Sequence, residues 1–148
     1  MQTLLPTQTW VLKRELLKIP FFGWALKGLQ PIAIDRNKQH SVRQLIQEGK
    51  KALNAGKWVI IFPEGTRVAP RQSRKYSKSG TALSIATGYP IIPIAHNAGH
   101  CWPKNTFLKR AGVISVVIGA PIEPTPDVQV DQLNNQIASW IETTCNSL

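Results

Sequence analysis

The sequence predicts an α/β fold with a mainly parallel central sheet flanked by helices, and three observations carry that prediction. Trp58 to Phe62 is a continuous apolar run, the pattern of a strand covered on both faces. Extended and helical patterns alternate along the chain, as in a sheet joined by crossover helices. Gly56 and Gly88 each follow a helical pattern at the position where a left-handed residue closes a helix.

The elements follow in order. Trp10, Val11 and Leu12 begin a short strand within Thr9 to Leu16, although Lys13-Arg14-Glu15 leaves its period ambiguous. Pro20 and Gly23 punctuate the aromatic stretch Phe21, Phe22 and Trp24, predicting a bend and then a short helix from Ala25 to Leu29. Pro31 to Asp35 reads as a strand. Ser41 to Asn54 reads as a helix with Val42, Leu45, Ile46, Gly49 and Leu53 near one face. Lys57 to Phe62 is the clearest strand. A basic loop then leads to a helix from Ser79 to Thr87, strands at Pro90 to Ala95 and Val113 to Ile118, a proline-rich turn at Pro121 to Pro126, and a last helix from Asp131 to Thr143. With 148 residues and no evident internal linker, one core is expected.

Composition excludes several classes. At 43% hydrophobic and 18% charged residues the chain is too apolar for disorder. No window reaches the roughly 18 consecutive apolar residues of a spanning helix. Lys13, Lys18 and Lys27 interrupt the richest stretch, so Trp10 to Leu29 suits lying on a bilayer better than crossing it. Its Phe21, Phe22 and Trp24 are either core residues or, if exposed, membrane anchors beside Lys18 and Lys27. Met1 to Trp10 lacks a basic start and a long apolar core, so a signal peptide is not expected. Cys101 and Cys145 have no metal-ligand spacing and fit a reduced setting.

The formal charge of +10 favours a polyanionic partner. No acidic residue lies between Glu64 and Glu123, whereas Arg67, Arg71, Arg74, Lys75, Lys78, Lys104, Lys109 and Arg110 do. Nucleic acid, an anionic membrane face and a phosphorylated substrate all suit that field, but no nucleic-acid docking module is present and no specific nucleic acid is expected.

The strongest local signal is Phe62-Pro63-Glu64-Gly65-Thr66-Arg67, directly after the most apolar strand. Loops leaving the carboxyl edge of an α/β sheet commonly hold ligand groups, and Arg67 presents a fork suited to two phosphate oxygens. Thr66 adds a hydroxyl, and Glu64 is placed to orient Arg67 or a substrate hydroxyl. The bland alternative is a tight turn shaped by Pro63 and Gly65. Arg71, Arg74, Lys75 and Lys78 lead into the Ser79 helix, either as a solvated face or as part of an anion site. His40, in a polar turn, reads as a cap or solvent residue. His96 and His100 flank a loop with no third ligand nearby, so no metal is expected; His96 also lacks a sequence-near carboxylate to orient it as a base.

These blocks together resemble the lysophospholipid acyltransferase family, particularly bacterial 1-acyl-sn-glycerol-3-phosphate acyltransferases. Phe62 to Arg67 resembles the family's acyl-acceptor motif, and Tyr76-Ser77-Lys78-Ser79-Gly80 its downstream Lys/Gly segment. Lys13-Arg14-Glu15-Leu16 through Pro20-Phe21-Phe22-Gly23 and Tyr89-Pro90-Ile91-Ile92-Pro93-Ile94 resemble two further blocks. The resemblance implies acyl transfer from acyl-CoA or acyl-carrier protein to lysophosphatidic acid, giving phosphatidic acid with no bound cofactor. It implies substrate binding by Glu64, Gly65, Thr66 and Arg67, with Lys78 as a helper, and peripheral attachment to an anionic membrane surface, the cytoplasmic face of a bacterial inner membrane.

In the family a histidine of an H-x-x-x-x-D pair removes the hydroxyl proton. Here the residues five positions after His40, His96 and His100 are Leu45, Cys101 and Asn105. In family members the pair lies shortly before the region resembling Leu5 to Glu15. Residues 1–148 are therefore expected to form a partial acyltransferase domain without the catalytic segment, of low or no activity; the alternative is a non-catalytic remnant that binds anionic lipid.

Overall fold

A computed structural model of the chain describes residues 7–35, 40–70, 72, 74–103, 106–125 and 127–148. It divides into two compact units, Met1–Phe62 and Pro63–Leu148, where composition predicts one core. The division falls inside the most distinctive motif, at the proline that ends the apolar run.

In the first unit, β1 (Gln8–Lys13) is the central strand of a parallel sheet, between β2 (Ile32–Ile34) and β3 (Trp58–Ile60). Val11 pairs with Ile32 and Thr9 with Val59. Along β1 the buried residues are Thr9 and Val11, the alternation expected of a pleated strand. The Thr9 hydroxyl donates to the Gln30 carbonyl at 3.0 Å, so its burial leaves no unmet donor. A 3-10 turn (Arg14–Lys18) and helix α1 (Phe22–Gly28) connect β1 to β2, and α2 (Ser41–Asn54) connects β2 to β3. Leu45, fully buried, drives α2 into Val11, Ile32 and Ile34, with Ala52, Val59 and Ile61 packed around them.

The close of α2 is a Schellman motif. Gly56 sits at φ 72°, its N–H reaches the Leu53 carbonyl at 2.9 Å, and the Lys57 N–H reaches the Ala52 carbonyl at 3.0 Å. Helix α1 begins at Phe22, three residues before the expected start. The reversal is made at Phe21, which has a φ of 58°. The tight return needs Gly23, since a Cβ there would stand 2.3 Å from the Leu17 carbonyl oxygen.

Strand β3 is shorter than the apolar run, and its three residues are only half-buried. It pairs with β1 alone, so one edge lacks a ladder partner among the described residues. Phe62 lies outside the strand and stacks on Trp10 at 5.6 Å between ring centroids.

In the second unit, α3 (Ser79–Thr87) and α5 (Val130–Ser147) pack together, and α5 also lies on β4 (Ile94–His96), which pairs antiparallel with β5 (Val116–Ile118). Leu83, Leu133 and Ile137 are buried here, and the Thr81 hydroxyl donates to Asn134 Oδ1 at 3.0 Å across the two helices. Helix α3 has the predicted bounds and closes on Gly88 at φ 76°.

Both strands of the pair are shorter than their apolar patterns. Pro90 and Pro93 have no N–H to give a ladder, which leaves Ile91 in an isolated bridge with Ile122. On β5 the Asn97 side chain takes the Ser115 N–H at 2.9 Å, ending the ladder and leaving Val113 and Ile114 exposed. A single helical turn, α4 (Ala98–Cys101), replaces the expected loop after His96. Helix α5 runs four residues past its predicted end, its Thr144 hydroxyl bonded back to the Trp140 carbonyl at 2.7 Å.

Candidate phosphate-binding site

The loop after Phe62 is shaped locally before any ligand is considered. Gly65 takes a φ of 70°, a conformation open to glycine at little cost. The Pro63 carbonyl accepts the Ser77 N–H at 2.9 Å, which ties the loop to the segment entering α3. Thr66 and Arg67 project into solvent, and Glu64 and Gly65 are half-buried.

Glu64 does not pair with Arg67, contrary to one role expected for it. Burial raises its carboxyl above the ordinary carboxylate range, His96 opposes that rise, and Glu142 adds to it. The fold thus brings Glu64 within electrostatic range of His96, which has no carboxylate near it in sequence. The His96 Nδ1 accepts the Ala98 N–H at 3.3 Å. Tyr76, buried beside this group, is held as a neutral phenol, its pKa raised by burial and then by Glu64, Glu142 and Cys145.

Arg67 lies over the Trp102 ring, its guanidinium carbon 5.2 Å from the ring centroid, and the Lys109 ammonium lies 4.6 Å from the same centroid. No carboxylate pairs with either cation among the described residues. Neither Trp102 nor Lys109 was singled out as a site residue by sequence; the available signal is the aromatic-basic density of Trp102-Pro103-Lys104 and Leu108-Lys109-Arg110.

Lys78 stands apart from this arrangement. Its ammonium forms an ion pair with Asp131 in the first turn of α5. It lines an open groove of about 450 Å³ with Arg74, Lys75, Asp131 and Glu142. Lys78 is expected as a helper in substrate binding, and here its ammonium meets the Asp131 carboxylate. Arg71 and Lys104 lie outside the described residues.

Among the described residues no group of three His, Cys, Asp or Glu side chains could hold a metal ion. Both cysteines are free thiols. No described helix is long and apolar enough to cross a membrane.

The comparisons with known proteins place this α/β framework in a family. Residues 1–97 match the Acyltransferase family model, and the chain belongs to that family. Within it, the chain resembles bacterial 1-acyl-sn-glycerol-3-phosphate acyltransferases. It is 48% identical over 137 residues to the 1-acyl-sn-glycerol-3-phosphate acyltransferase of Pseudomonas aeruginosa, covering 90% of this chain and 53% of that one. The enzyme of that name from Cocos nucifera is 28% identical over 129 residues, covering 86% of this chain and 42% of its own. The crystal structure of the 1-acyl-sn-glycerophosphate (LPA) acyltransferase of Thermotoga maritima superposes with a TM-score of 0.76 at 22% identity, over 97% of this chain and 57% of that one, which supports the α/β fold. The chain spans about half the length of the curated relatives it matches.

Proposed function

We propose that this chain forms the acceptor-binding part of a 1-acyl-sn-glycerol-3-phosphate acyltransferase, with Gly65, Thr66 and Arg67 holding the phosphate of lysophosphatidic acid. The observation that carries this reading is Arg67, exposed on a glycine-shaped loop with no carboxylate partner among the described residues. A guanidinium fork matches two phosphate oxygens, and the Thr66 hydroxyl can donate to a third. Glu64, which forms no ion pair with Arg67, is the group left to orient the acceptor hydroxyl.

In the reaction, the acceptor oxygen attacks the thioester carbonyl of acyl-CoA or acyl-carrier protein. The new ester C–O bond forms, the C–S bond breaks, and the thiol leaves. The proton of the attacking hydroxyl passes to a base. Binding of lysophosphatidic acid tests the phosphate assignment. Arg67→Gln is expected to weaken it about 10- to 150-fold, the equivalent of the ~1.5–3 kcal/mol carried by a charged hydrogen-bonded contact. Unchanged affinity would remove Arg67 from the site.

A non-catalytic lipid-binding role is the second reading, favoured by the hydrogen bond on His96 Nδ1, which leaves that ring without a free acceptor. Retained binding of lysophosphatidic acid with no acyl transfer would select it.

Peripheral attachment to the cytoplasmic face of a bacterial inner membrane belongs to the same proposal. It is supported by Phe21, Phe22 and Trp24, which are exposed at 78%, 51% and 65%. Phe21 and Trp24 meet edge-on at 5.3 Å, and Lys18 and Lys27 flank them as bases for anionic headgroups. The Gly23 return fixes this tip, so little order remains to be imposed on contact with a bilayer. Phe21→Ser and Trp24→Ser are each expected to weaken co-sedimentation with phosphatidylglycerol vesicles roughly tenfold. Equal binding by the double variant would take this surface off the membrane.

A further inference from the structure

We propose that Lys109 is a second phosphate ligand beside Arg67, that Trp102 is the positioning residue holding the two cations together, and that the resulting seat selects a phosphate monoester over a diester. The inference rests on the phosphate role of Arg67 and extends it to a part of the chain that lies 42 residues further on.

Several contacts assemble the cluster. Trp102 follows α4, its N–H bonded to the Ala98 carbonyl at 2.9 Å. Further along the chain, the Arg110 N–H bonds to the Cys101 carbonyl at 2.8 Å. That bond sets Lys109 beside Trp102. From the other side, Pro70 of the Arg67 loop packs on α4, where a Cβ at Gly99 would stand 3.4 Å from the Pro70 ring. The indole is therefore the common neighbour of a guanidinium at 5.2 Å and an ammonium at 4.6 Å.

Two like charges gathered on one side chain repel each other, and the ring quadrupole offsets that repulsion only in part. No acidic residue lies between Glu64 and Glu123, and among the described residues no carboxylate pairs with either cation. An anion meets the excess. A phosphate monoester loses its second proton near pH 6, so it brings about two negative charges at neutral pH, whereas a diester brings one. A pair of cations therefore favours the monoester, the chemical form of a glycerol phosphate whose phosphate carries no headgroup.

Phosphorus NMR titration of the 148-residue chain provides the test, using glycerol 3-phosphate, its methyl diester and inorganic phosphate as probes. Lys109→Gln is expected to weaken glycerol 3-phosphate binding roughly five- to thirtyfold while leaving the diester nearly unchanged, and Lys109→Arg to restore it. Trp102→Leu should follow Lys109→Gln, and Trp102→Phe, which keeps an aromatic face, should recover most of the loss. The preference for monoester should grow between pH 5 and pH 7.5 and flatten in Lys109→Gln.

Loss of binding in Arg67→Gln with no effect of Lys109→Gln would overturn this inference and leave the phosphate role of Arg67 standing. Loss in neither variant would overturn both. Inorganic phosphate bound as tightly as glycerol 3-phosphate would assign the seat to free phosphate and overturn its assignment to an acyl acceptor. Trp102 is about half exposed and Lys109 is exposed, so none of these changes removes a core contact.

Discussion

Acyl transfer to lysophosphatidic acid by these 148 residues alone is expected to run about 10²- to 10⁴-fold below that of a complete relative, the range a positioned general base contributes. A glycerol hydroxyl is a weak nucleophile until its proton has somewhere to go. The three histidines stand in three different settings, none with an aspartate five positions on. His96 receives the Ala98 N–H on Nδ1 at 3.3 Å, a tautomer that puts the ring proton on Nε2 and leaves no nitrogen to accept another. Its closeness to Glu64 does not alter that, because the nitrogen a base would use is already engaged.

His40 is exposed at the amino end of α2, and five residues after it comes Leu45, a fully buried core side chain. An aspartate there would be an unpaired charge in an apolar core, so an H-x-x-x-x-D pair is sterically and electrostatically closed to α2. His100 is exposed in the one-turn α4, with Asn105 five residues on. The measurement is labelled acyl transfer by the purified chain, with and without a fused segment carrying an H-x-x-x-x-D pair. A relative-like rate without the fusion overturns the expectation, most directly if His96→Ala then stops turnover.

What the sequence revealed of this molecule divides along a physical line, between local and distant causes. Helices α2 and α3 have their predicted bounds because Gly56 and Gly88 close them within one turn. The strands were overestimated because apolar content records burial and says nothing of ladder partners. Pro90, Pro93 and the Asn97 side chain decide where β4 and β5 stop, and the Asn97 bond to Ser115 spans 18 residues. Similarly, the motif from Phe62 to Arg67 was legible as a string, but its contacts were not. Arg67 finds Trp102 and Lys78 finds Asp131, pairings that close only when distant segments fold together. The exposed aromatic tip lay between: its residues were plain, and their exposure depended on the Phe21 reversal and on the contact of Gly23 with Leu17.

Replacing Leu45 by Ala is expected to destabilise the first unit by about 2–5 kcal/mol, against a whole-domain stability of roughly 5–15 kcal/mol. Leu45 is 0% exposed and is the side chain through which α2 joins Val11, Ile32 and Ile34. Its loss removes apolar burial and leaves a void that the parallel strands, held in register by their ladders, can fill only in part. Local helix formation is not the cause, since alanine is the better helix former and the Schellman close of α2 is untouched. Val42→Ala on the same helix, at a site 41% exposed, should therefore stay within about 0.5 kcal/mol of the parent. Leu45→Met, which keeps the volume, should cost less than about 1.5 kcal/mol. Urea unfolding with amide exchange read at Ile32–Ile34 separates the three variants. Equal midpoints for Leu45→Ala and Val42→Ala would mean that the contact of α2 with the sheet is not what holds this unit together.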